Sequence, residues 1–429
     1  MKKTKIVISN IVVLNGGDGA LLFGGIKILK AALGEDIEIT VFSTDPERSA
    51  RLYPEVDFRR TPGLMVKGWP HWRTLPQRLA PFRTALLVWS ARAYRKGFSI
   101  FARMLGGKQL LESMRIYSEA DLVLSSGGTY LKESYGMDTQ IADYRMTNAL
   151  GRPLGFLTQT LGPFHRPRYR SPLRLIFQEA AVILLRDEAS LKNVVDLGLT
   201  TPPVHLCADS AFALANAEQL NAAALRKFPV RGPKIAVSVR SWSHFRGKDN
   251  AQGMADYMNA IADGVSRLIR EIDAEVTFVS TCQGVDDYTD DSAVAAEIIE
   301  RIAPECRKNV SLVREHVRFD ALMERLPGYD LVIATRMHMA ILALSSGTPA
   351  LPIVAEFKTS ELYRNLGLAD WTVGIESVTG AQLAAMVVAM LERLPEIQPA
   401  LMARVLEFRE SSNRAGAEIQ QYLAGRKLR

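Results

Sequence analysis

Three residues in the last quarter of the chain have side chains that could bind an anion and move a proton. Arg336 and His338 lie two residues apart, and Lys358 follows twenty residues later. Arginine and lysine bind phosphate and carboxylate groups, and an imidazole can exchange a proton near neutral pH. The pattern predicts an anionic substrate held by Arg336 and Lys358 beside a proton-transfer group, His338. The alternative is that Arg336 and His338 only cap a loop and face solvent there.

The stretch from Asp330 to Lys358 predicts the elements that position these side chains. The apolar run 331–334 is too short for a helix and is typical of a buried parallel strand. A helix is expected over 339–344, and a second strand over 350–355. Ligands of open α/β sheets bind at the carboxyl ends of the strands, and helix N-termini favour anions. We therefore expect the three side chains to meet at one edge of a sheet.

The composition indicates an ordinary two-domain protein. The chain has 429 residues, of which 48% are hydrophobic and 23% are charged. Its three cysteines, Cys207, Cys282 and Cys306, lack the spacing of a disulfide framework or a zinc site. This predicts a reducing compartment and no metal ion. Because no run of about twenty apolar residues occurs, we expect a cytoplasmic protein without a transmembrane helix.

Strands and helices alternate along most of the chain, which predicts an α/β fold, and a second alternating set begins at Lys234. The apolar run at the N-terminus predicts a first strand at 4–14, and a linker is expected around 216–233. The end of the chain, from Ala381, is expected to form two or three helices. We predict the first domain at 1–222, the second at 223–398, and a helical segment that packs back on the first domain at 399–429.

Two polar stretches could hold a ligand but have simpler interpretations. Asn15–Gly19 is rich in glycine without matching the dinucleotide fingerprint, so a nucleotide cofactor is not supported. There, Asn15 and Asp18 could hydrogen-bond a polar acceptor or could cap the following helix. Four aspartates fall within 286–291, but because no histidine accompanies them, we favour a solvated loop and helix start over a metal site.

A basic window at 58–108 interrupts the alternation. It contains eleven Lys or Arg, no Asp or Glu, and three of the five Trp residues, Trp69, Trp72 and Trp89. A helix is expected over 85–105. The window could be an ordinary helix packed on its domain, an interfacial element facing anionic lipid, or a nucleic-acid patch, for which no motif is present.

Short segments distributed along the chain resemble the polysaccharide pyruvyl transferase family, and their order and spacing together are fairly specific. The resemblance extends from Asn15 to about Gly367. The segments that carry it are N-G-G-D-G-A at 15–20, D-L-V-L-S-S-G-G at 121–128, Q-T-L-G-P at 159–163, R-D-E-A-S at 186–190, A-D-S-A-F at 208–212, T-R-M-H at 335–338, and Glu356-Phe-Lys358.

The resemblance implies a fold and a reaction. The fold would be similar to that of GT-B glycosyltransferases, with two Rossmann-like domains, an acceptor-side first domain and a donor-binding second domain, facing a cleft. The reaction would move the enolpyruvyl group of phosphoenolpyruvate onto a sugar, giving a pyruvyl ketal and phosphate without a metal ion or cofactor. Protonation of the enol carbon needs a general acid.

Matched to this sequence, the resemblance assigns a role to each candidate residue. Arg336 and His338 would be catalytic. We predict that the donor is bound by Arg336, Lys358, Arg240 and Arg186. Arg186 could close the cleft across the donor from the first domain, or it could only form a structural pair with its neighbours Asp187 or Glu188. The acceptor would contact Asn15, Asp18, Gly127 and Gly128.

Other functions and partners stay open at this point. A glycosyltransferase that uses a nucleotide sugar, or a non-enzymatic saccharide-binding protein, could share the fold. The family commonly acts on acceptors carried by a polyprenyl lipid. We therefore expect a cytoplasmic protein that visits the inner face of the plasma membrane through 58–108 and binds no nucleic acid.

Overall fold

The computed structural model describes most of the chain, and contacts divide it into two units. Trp69 and Trp72 of the basic window lie outside the described residues. The described residues are 3–66, 80–133, 135–199, 203–247 and 249–427. The first unit comprises Met1–Val13, Leu21–Ala213 and Glu410–Arg429, and the second unit comprises Leu14–Ala20 and Leu214–Arg409. The two later divisions fall at 213/214 and 409/410, which is nine and eleven residues from the predicted boundaries at 222/223 and 398/399.

The first unit is built on a parallel sheet with strand order β3-β2-β1-β4-β6-β7-β8, and β5 pairs with β6. All eight residues of β6 are buried, as expected for a strand covered on both faces. The strands are β1 (Thr4–Ser9), β2 (Ile37–Ser43), β3 (Phe58–Arg60), β4 (Leu122–Ser125), β5 (Gly128–Leu131), β6 (Leu154–Leu161), β7 (Val182–Leu185) and β8 (Val204–Leu206).

The second unit has a parallel sheet with strand order β11-β10-β9-β12-β13-β14. The chain extends the sheet from β9 in one direction and then returns to β12 on the other side. The carboxyl ends of β9 and β12 therefore form a topological switch point, where such sheets bind ligands. The strands are β9 (Lys234–Ser238), β10 (Glu275–Phe278), β11 (Val310–Leu312), β12 (Leu331–Ala334), β13 (Ala350–Val354) and β14 (Val373–Gly374).

Helices connect these strands, and two of them, α1 and α14, have residues in both units. Within the described ranges, every helix is too short or too polar to span a bilayer. The helices are α1 (Gly16–Leu33), α2 (Pro46–Leu52), α3 (Ala80–Arg95), α4 (Ile100–Glu119), α5 (Asp138–Ala149), α6 (Pro167–Gln178), α7 (Glu188–Asp196), α8 (Ala217–Ala223), α9 (Asn250–Ile272), α10 (Asp291–Arg301), α11 (Phe319–Arg325), α12 (Met337–Ser345), α13 (Phe357–Asn365) and α14 (Gly380–Lys427).

Local backbone geometry corrects two predicted elements. The first strand ends at Ser9 rather than at residue 14, because Asn10 adopts a left-handed conformation with φ of 64°. The helix predicted over 85–105 is in fact two helices, α3 and α4. Gly97 has φ of 94°, and the Phe98 N–H bonds back to the carbonyl of Ala93, which is the pattern that ends helices at a glycine.

The end of the chain also differs from its prediction. Instead of two or three helices, α14 is continuous over Gly380–Lys427 and contains Pro395 and Pro399. An interior proline removes a hydrogen bond and costs about 3 kcal/mol. Burial of Leu394, Leu401 and Val405 beside the prolines offsets this cost. The predicted linker at 216–233 likewise contains a helix, α8.

Asp143 is a fully buried carboxylic acid in the first unit. The Tyr117 hydroxyl donates to its Oδ1 at 2.8 Å, and the Asn10 side-chain amide donates to its Oδ2 at 3.3 Å. Burial disfavours the charged form and raises the pKa of Asp143 to about 6. The folded protein therefore binds this proton more tightly than the unfolded chain does.

This difference predicts a dependence of stability on pH. The contribution of Asp143 to the free energy of unfolding should be greatest below pH 4 and should disappear as the pH rises through about 6. A shift of two pKa units corresponds to roughly 3 kcal/mol. We expect the wild-type protein to lose about this much stability relative to Asp143→Asn between pH 4 and 7, measured by urea unfolding. A difference that stays constant over this range would contradict the raised pKa.

Candidate active site

The switch point of the second unit places three basic residues after three neighbouring strands. Arg240 comes two residues after β9, Arg336 two residues after β12, and Lys358 four residues after β13. The Thr335 N–H donates to the carbonyl of Ser238 at 2.8 Å, which holds the ends of β9 and β12 side by side. The sequence-predicted residues Arg240, Arg336 and Lys358 therefore lie at the same edge of one sheet.

Arg336 is fixed by a carboxylate that the sequence analysis did not select. Its Nε and Nη2 donate to Asp291 at 2.8 and 2.6 Å, in a two-pronged ion pair. Burial alone would lower the pKa of Arg336, but the Asp291 carboxylate raises it well above its ordinary value. The guanidinium is therefore charged, and its orientation is set before any ligand binds.

The prediction of a solvated acidic loop is wrong for Asp291. This side chain is fully buried, and its Oδ2 also accepts a hydrogen bond from the Ser280 hydroxyl at 2.6 Å. Its neighbour Asp290 caps α10 by accepting from the backbone N–H of Ser292, as the helix-start interpretation expected. The local sequence shows only that an aspartate begins α10. It could not reveal that Asp291 binds Arg336, because the two residues are 45 positions apart.

His338 lies in the first turn of α12 and packs against the glycine-rich turn at the start of α1. A Cβ atom added to Gly17 would lie 2.8 Å from both Cβ and Nδ1 of His338, closer than real Cβ contacts. The backbone N–H of Gly16 donates to the carbonyl of Thr281 at 2.6 Å and anchors this turn in the second unit. Gly17 therefore permits the close approach of the imidazole.

The polar residues of the same turn bond to each other. The Asn15 amide donates to Asp18 at 2.6 Å and approaches the Tyr288 hydroxyl at 3.4 Å, while the Asp18 N–H donates to Asn15 Oδ1 at 2.8 Å. This is the helix-capping geometry that the sequence analysis offered as one alternative. A role for Asn15 and Asp18 in acceptor binding stays a prediction.

Lys358 and Arg240 both face the carboxylate of Glu356. Lys358 Nζ lies 3.2 Å from Glu356 Oε2, and Arg240 Nη1 lies 3.7 Å from Glu356 Oε1. All three side chains are between 15% and 21% exposed, so solvent can reach them. The Arg240 guanidinium also stacks over the Trp242 ring at 4.8 Å.

The remaining predicted residues, Arg186, Gly127 and Gly128, belong to the first unit. Arg186 forms an ion pair with Asp209, and its side chain is only 4% exposed. It also donates to Thr160 Oγ1 at 2.9 Å and to Thr129 Oγ1 at 3.2 Å.

The two glycines have structural requirements of their own. A Cβ at Gly127 would lie 2.9 Å from Thr158 Oγ1, and Gly128 has φ of 149°.

The described part of the chain contains no cluster of three or more His, Cys, Asp or Glu side chains arranged to hold a metal ion.

Comparison with known proteins identifies the family. The sequence model of the family described as polysaccharide pyruvyl transferase matches residues 15–355. The chain belongs to the polysaccharide pyruvyl transferase family. The matched region contains Asn15, Asp18, Arg186, Arg240, Arg336 and His338, and it ends shortly before Lys358.

A curated relative covers almost the whole chain. The amylovoran biosynthesis protein AmsJ from Erwinia amylovora is 25% identical over 429 residues, which is 96% of this chain and 98% of AmsJ.

Solved structures support the predicted fold class. The complex of S. aureus MnaA with UDP has a TM-score of 0.58 at 14% identity, covering 98% of this chain and 97% of MnaA. The UDP-GlcNAc 2-epimerase from Neisseria meningitidis bound to UDP-GlcNAc has a TM-score of 0.57 at 12% identity, covering 99% and 100%. At these identities the likeness concerns the fold alone. The predicted α/β fold with two Rossmann-like domains of the GT-B kind is confirmed.

Proposed function

We propose that this member of the family transfers the enolpyruvyl group of phosphoenolpyruvate to a saccharide and closes a pyruvyl ketal. The observation that carries the proposal is the edge of the second sheet, where β9, β12 and β13 are each followed by a basic residue. Phosphoenolpyruvate has a phosphate and a carboxylate, and Arg240, Arg336 and Lys358 supply three positive charges for them. The sugar acceptor is supported by family membership and by the similarity to AmsJ.

His338 is proposed as the general acid. It donates a proton to the methylene carbon of phosphoenolpyruvate, which leaves the neighbouring carbon electron-poor. A sugar hydroxyl forms a bond to that carbon and returns a proton to the His338 imidazole. A second hydroxyl of the same sugar then forms the other bond, the carbon–oxygen bond to phosphate breaks, and phosphate leaves with that bond's electron pair and takes up the proton of the second hydroxyl. Arg336, already oriented by Asp291, stabilises the charge of the phosphate.

Release of phosphate tests this proposal. Phosphoenolpyruvate should yield inorganic phosphate only when a saccharide acceptor is present, and mass spectrometry should show the acceptor with a pyruvyl ketal. Free and polyprenyl-linked oligosaccharides would be screened as acceptors. Release of a nucleoside diphosphate from a nucleotide sugar, without phosphate release from phosphoenolpyruvate, would identify a glycosyltransferase instead. Binding of a saccharide without any turnover would indicate a binding protein.

Gly17→Ala should slow this reaction without unfolding the protein. The added Cβ would push the His338 imidazole away from its position, and a displacement of about 1 Å can cost on the order of a hundredfold in rate. We expect kcat to fall at least about tenfold, with an unchanged circular dichroism spectrum. Gly16→Ala is the matched control, because its Cβ would lie no closer than 3.5 Å to other atoms. Equal activity in the two variants would contradict the contact.

We also propose that the protein works in the cytoplasm, at the anionic inner face of the plasma membrane, where a polyprenyl-linked acceptor would be found. The free cysteines Cys207, Cys282 and Cys306 are consistent with a reducing compartment.

The helices proposed to dock on the membrane are α3 and α4 of the basic window. Of the twelve exposed large hydrophobic side chains among the described residues, five lie between positions 82 and 104.

Basic residues are interleaved with these five side chains along α3, α4 and the turn between them. On α3, Phe82 and Trp89 are seven residues apart, and Arg92 follows at helical spacing. The Trp89 ring contacts Phe101 of α4 with centroids 4.5 Å apart, which brings the two helices together. Acidic residues are absent from the window, so the surface is complementary to anionic headgroups. The members of this docking surface are Phe82, Trp89, Phe98, Ile100 and Met104, with Arg92, Lys96 and Arg103.

Vesicle co-sedimentation tests the docking surface. The wild-type protein should bind phosphatidylglycerol vesicles at low salt, and should bind weakly at high salt or to phosphatidylcholine. The double variant Phe98→Ser, Met104→Ser should bind at least about tenfold more weakly, because two side chains that enter the headgroup boundary are lost.

Leu175→Ser, Val195→Ser is the matched control, since these two side chains are 59% and 65% exposed elsewhere in the same unit. Wild-type protein that stays in the supernatant with anionic vesicles at low salt would exclude the surface.

A further inference from the structure

Glu356 lies between two of the proposed donor-binding cations. Its carboxylate is 3.2 Å from Lys358 Nζ and 3.7 Å from Arg240 Nη1, and its side chain is 20% exposed. A carboxylate has the same charge and oxygen chemistry as the anionic groups of the donor. We propose that Glu356 occupies the place of a donor anion and is displaced when phosphoenolpyruvate binds. This inference rests on the proposed function in taking Arg240 and Lys358 as donor ligands.

Comparison with Asp291 shows why Glu356 can leave its cations. Asp291 is fully buried and binds Arg336 through two contacts of 2.6 and 2.8 Å, with a further hydrogen bond from Ser280. The ion pairs of Glu356 with Lys358 and Arg240 are longer, at 3.2 and 3.7 Å, and solvent reaches its side chain. It stands directly before α13, and its side chain does not cap that helix. Displacing Glu356 from these two cations therefore costs less than displacing Asp291 from Arg336 would.

The position of Glu356 has two consequences for turnover. A phosphate or carboxylate that approaches Arg240 and Lys358 meets a like charge within about 4 Å, which opposes binding. When phosphate has been formed, the return of Glu356 to the two cations favours its release. Glu356 would thus weaken the affinity for anions at both ends of the reaction and prevent product from blocking the site.

Glu356→Gln tests this role, with inorganic phosphate as the probe. The amide keeps the shape of the side chain and removes its charge. We expect calorimetric titration at constant ionic strength to show phosphate binding at least about tenfold tighter than in the wild type, and phosphoenolpyruvate to follow the same trend. Asp291→Asn should change affinity in the opposite direction, because Arg336 loses its anchor. Asp370→Asn, an exposed acid of the same unit, should have no effect and controls for net charge.

The outcomes separate this inference from the proposed function. Phosphate binding that is unchanged or weaker in Glu356→Gln would overturn the inference, as would the absence of phosphate binding in both the wild type and this variant. Lower kcat with unchanged phosphate affinity would also overturn it and would make Glu356 a proton-transfer group instead. If Glu356→Gln binds phosphate more tightly but the wild type forms no ketal, the inference holds while the proposed reaction fails.

Discussion

Replacing His338 with alanine should lower kcat at least about a hundredfold while the protein remains folded, because general acid catalysis typically contributes that much. The imidazole is half-buried in the first turn of α12. Steady-state kinetics with phosphoenolpyruvate and an acceptor would measure the change. His165→Ala, which removes an exposed imidazole, should keep full activity. An unchanged rate in His338→Ala would end the assignment.

A second substitution separates proton transfer from simple hydrogen bonding. Glutamine at position 338 can still donate a hydrogen bond to the donor, but it cannot deliver a proton. If His338 is the acid, His338→Gln should be as slow as the alanine variant. Recovery of most of the activity in His338→Gln would show that the residue acts only as a hydrogen-bond donor.

Loss of Arg336 should have the second large effect, on affinity for the donor. Truncation of a charged group that binds a charged partner in a partly buried site costs 2–5 kcal/mol or more, which is at least about thirtyfold. We therefore expect Arg336→Ala to raise the Kd for phosphoenolpyruvate by about two orders of magnitude. Unchanged donor affinity in both Arg336→Ala and Lys358→Ala would contradict the donor site.

The structure shows that Arg336→Ala alone is an ambiguous experiment. It leaves the fully buried Asp291 without its cation, which costs about 3–5 kcal/mol of stability. The double variant Arg336→Ala, Asp291→Ala removes both charges and should regain most of that stability, measured by urea unfolding. Its donor affinity should stay as low as in the single variant. Recovery of affinity together with stability would mean that Arg336 has only a structural role.

Several elements could be predicted from local sequence because their causes are local. The runs that form β4, β12 and β13 are short and apolar, and a strand buried on both faces requires this pattern. Arg336 and Lys358 follow such runs, so their placement at the carboxyl edge of a sheet could also be predicted. The same reasoning failed where one residue changes the backbone. Nothing in an apolar pattern indicates that Asn10 ends β1 or that Gly97 separates α3 from α4.

The partners of the site residues, in contrast, depend on tertiary structure. Asp291 binds Arg336 across 45 residues, Gly17 makes room for His338, and Glu356 meets Arg240 from another strand. The sequence alone determined that a cation and an imidazole follow a buried strand. Strand order and burial decide that the Asp291 carboxylate fixes Arg336, whereas the Glu356 carboxylate only lies beside Arg240. Periodicity reports whether a side chain faces the core, but it carries no information about which distant side chain the fold brings opposite.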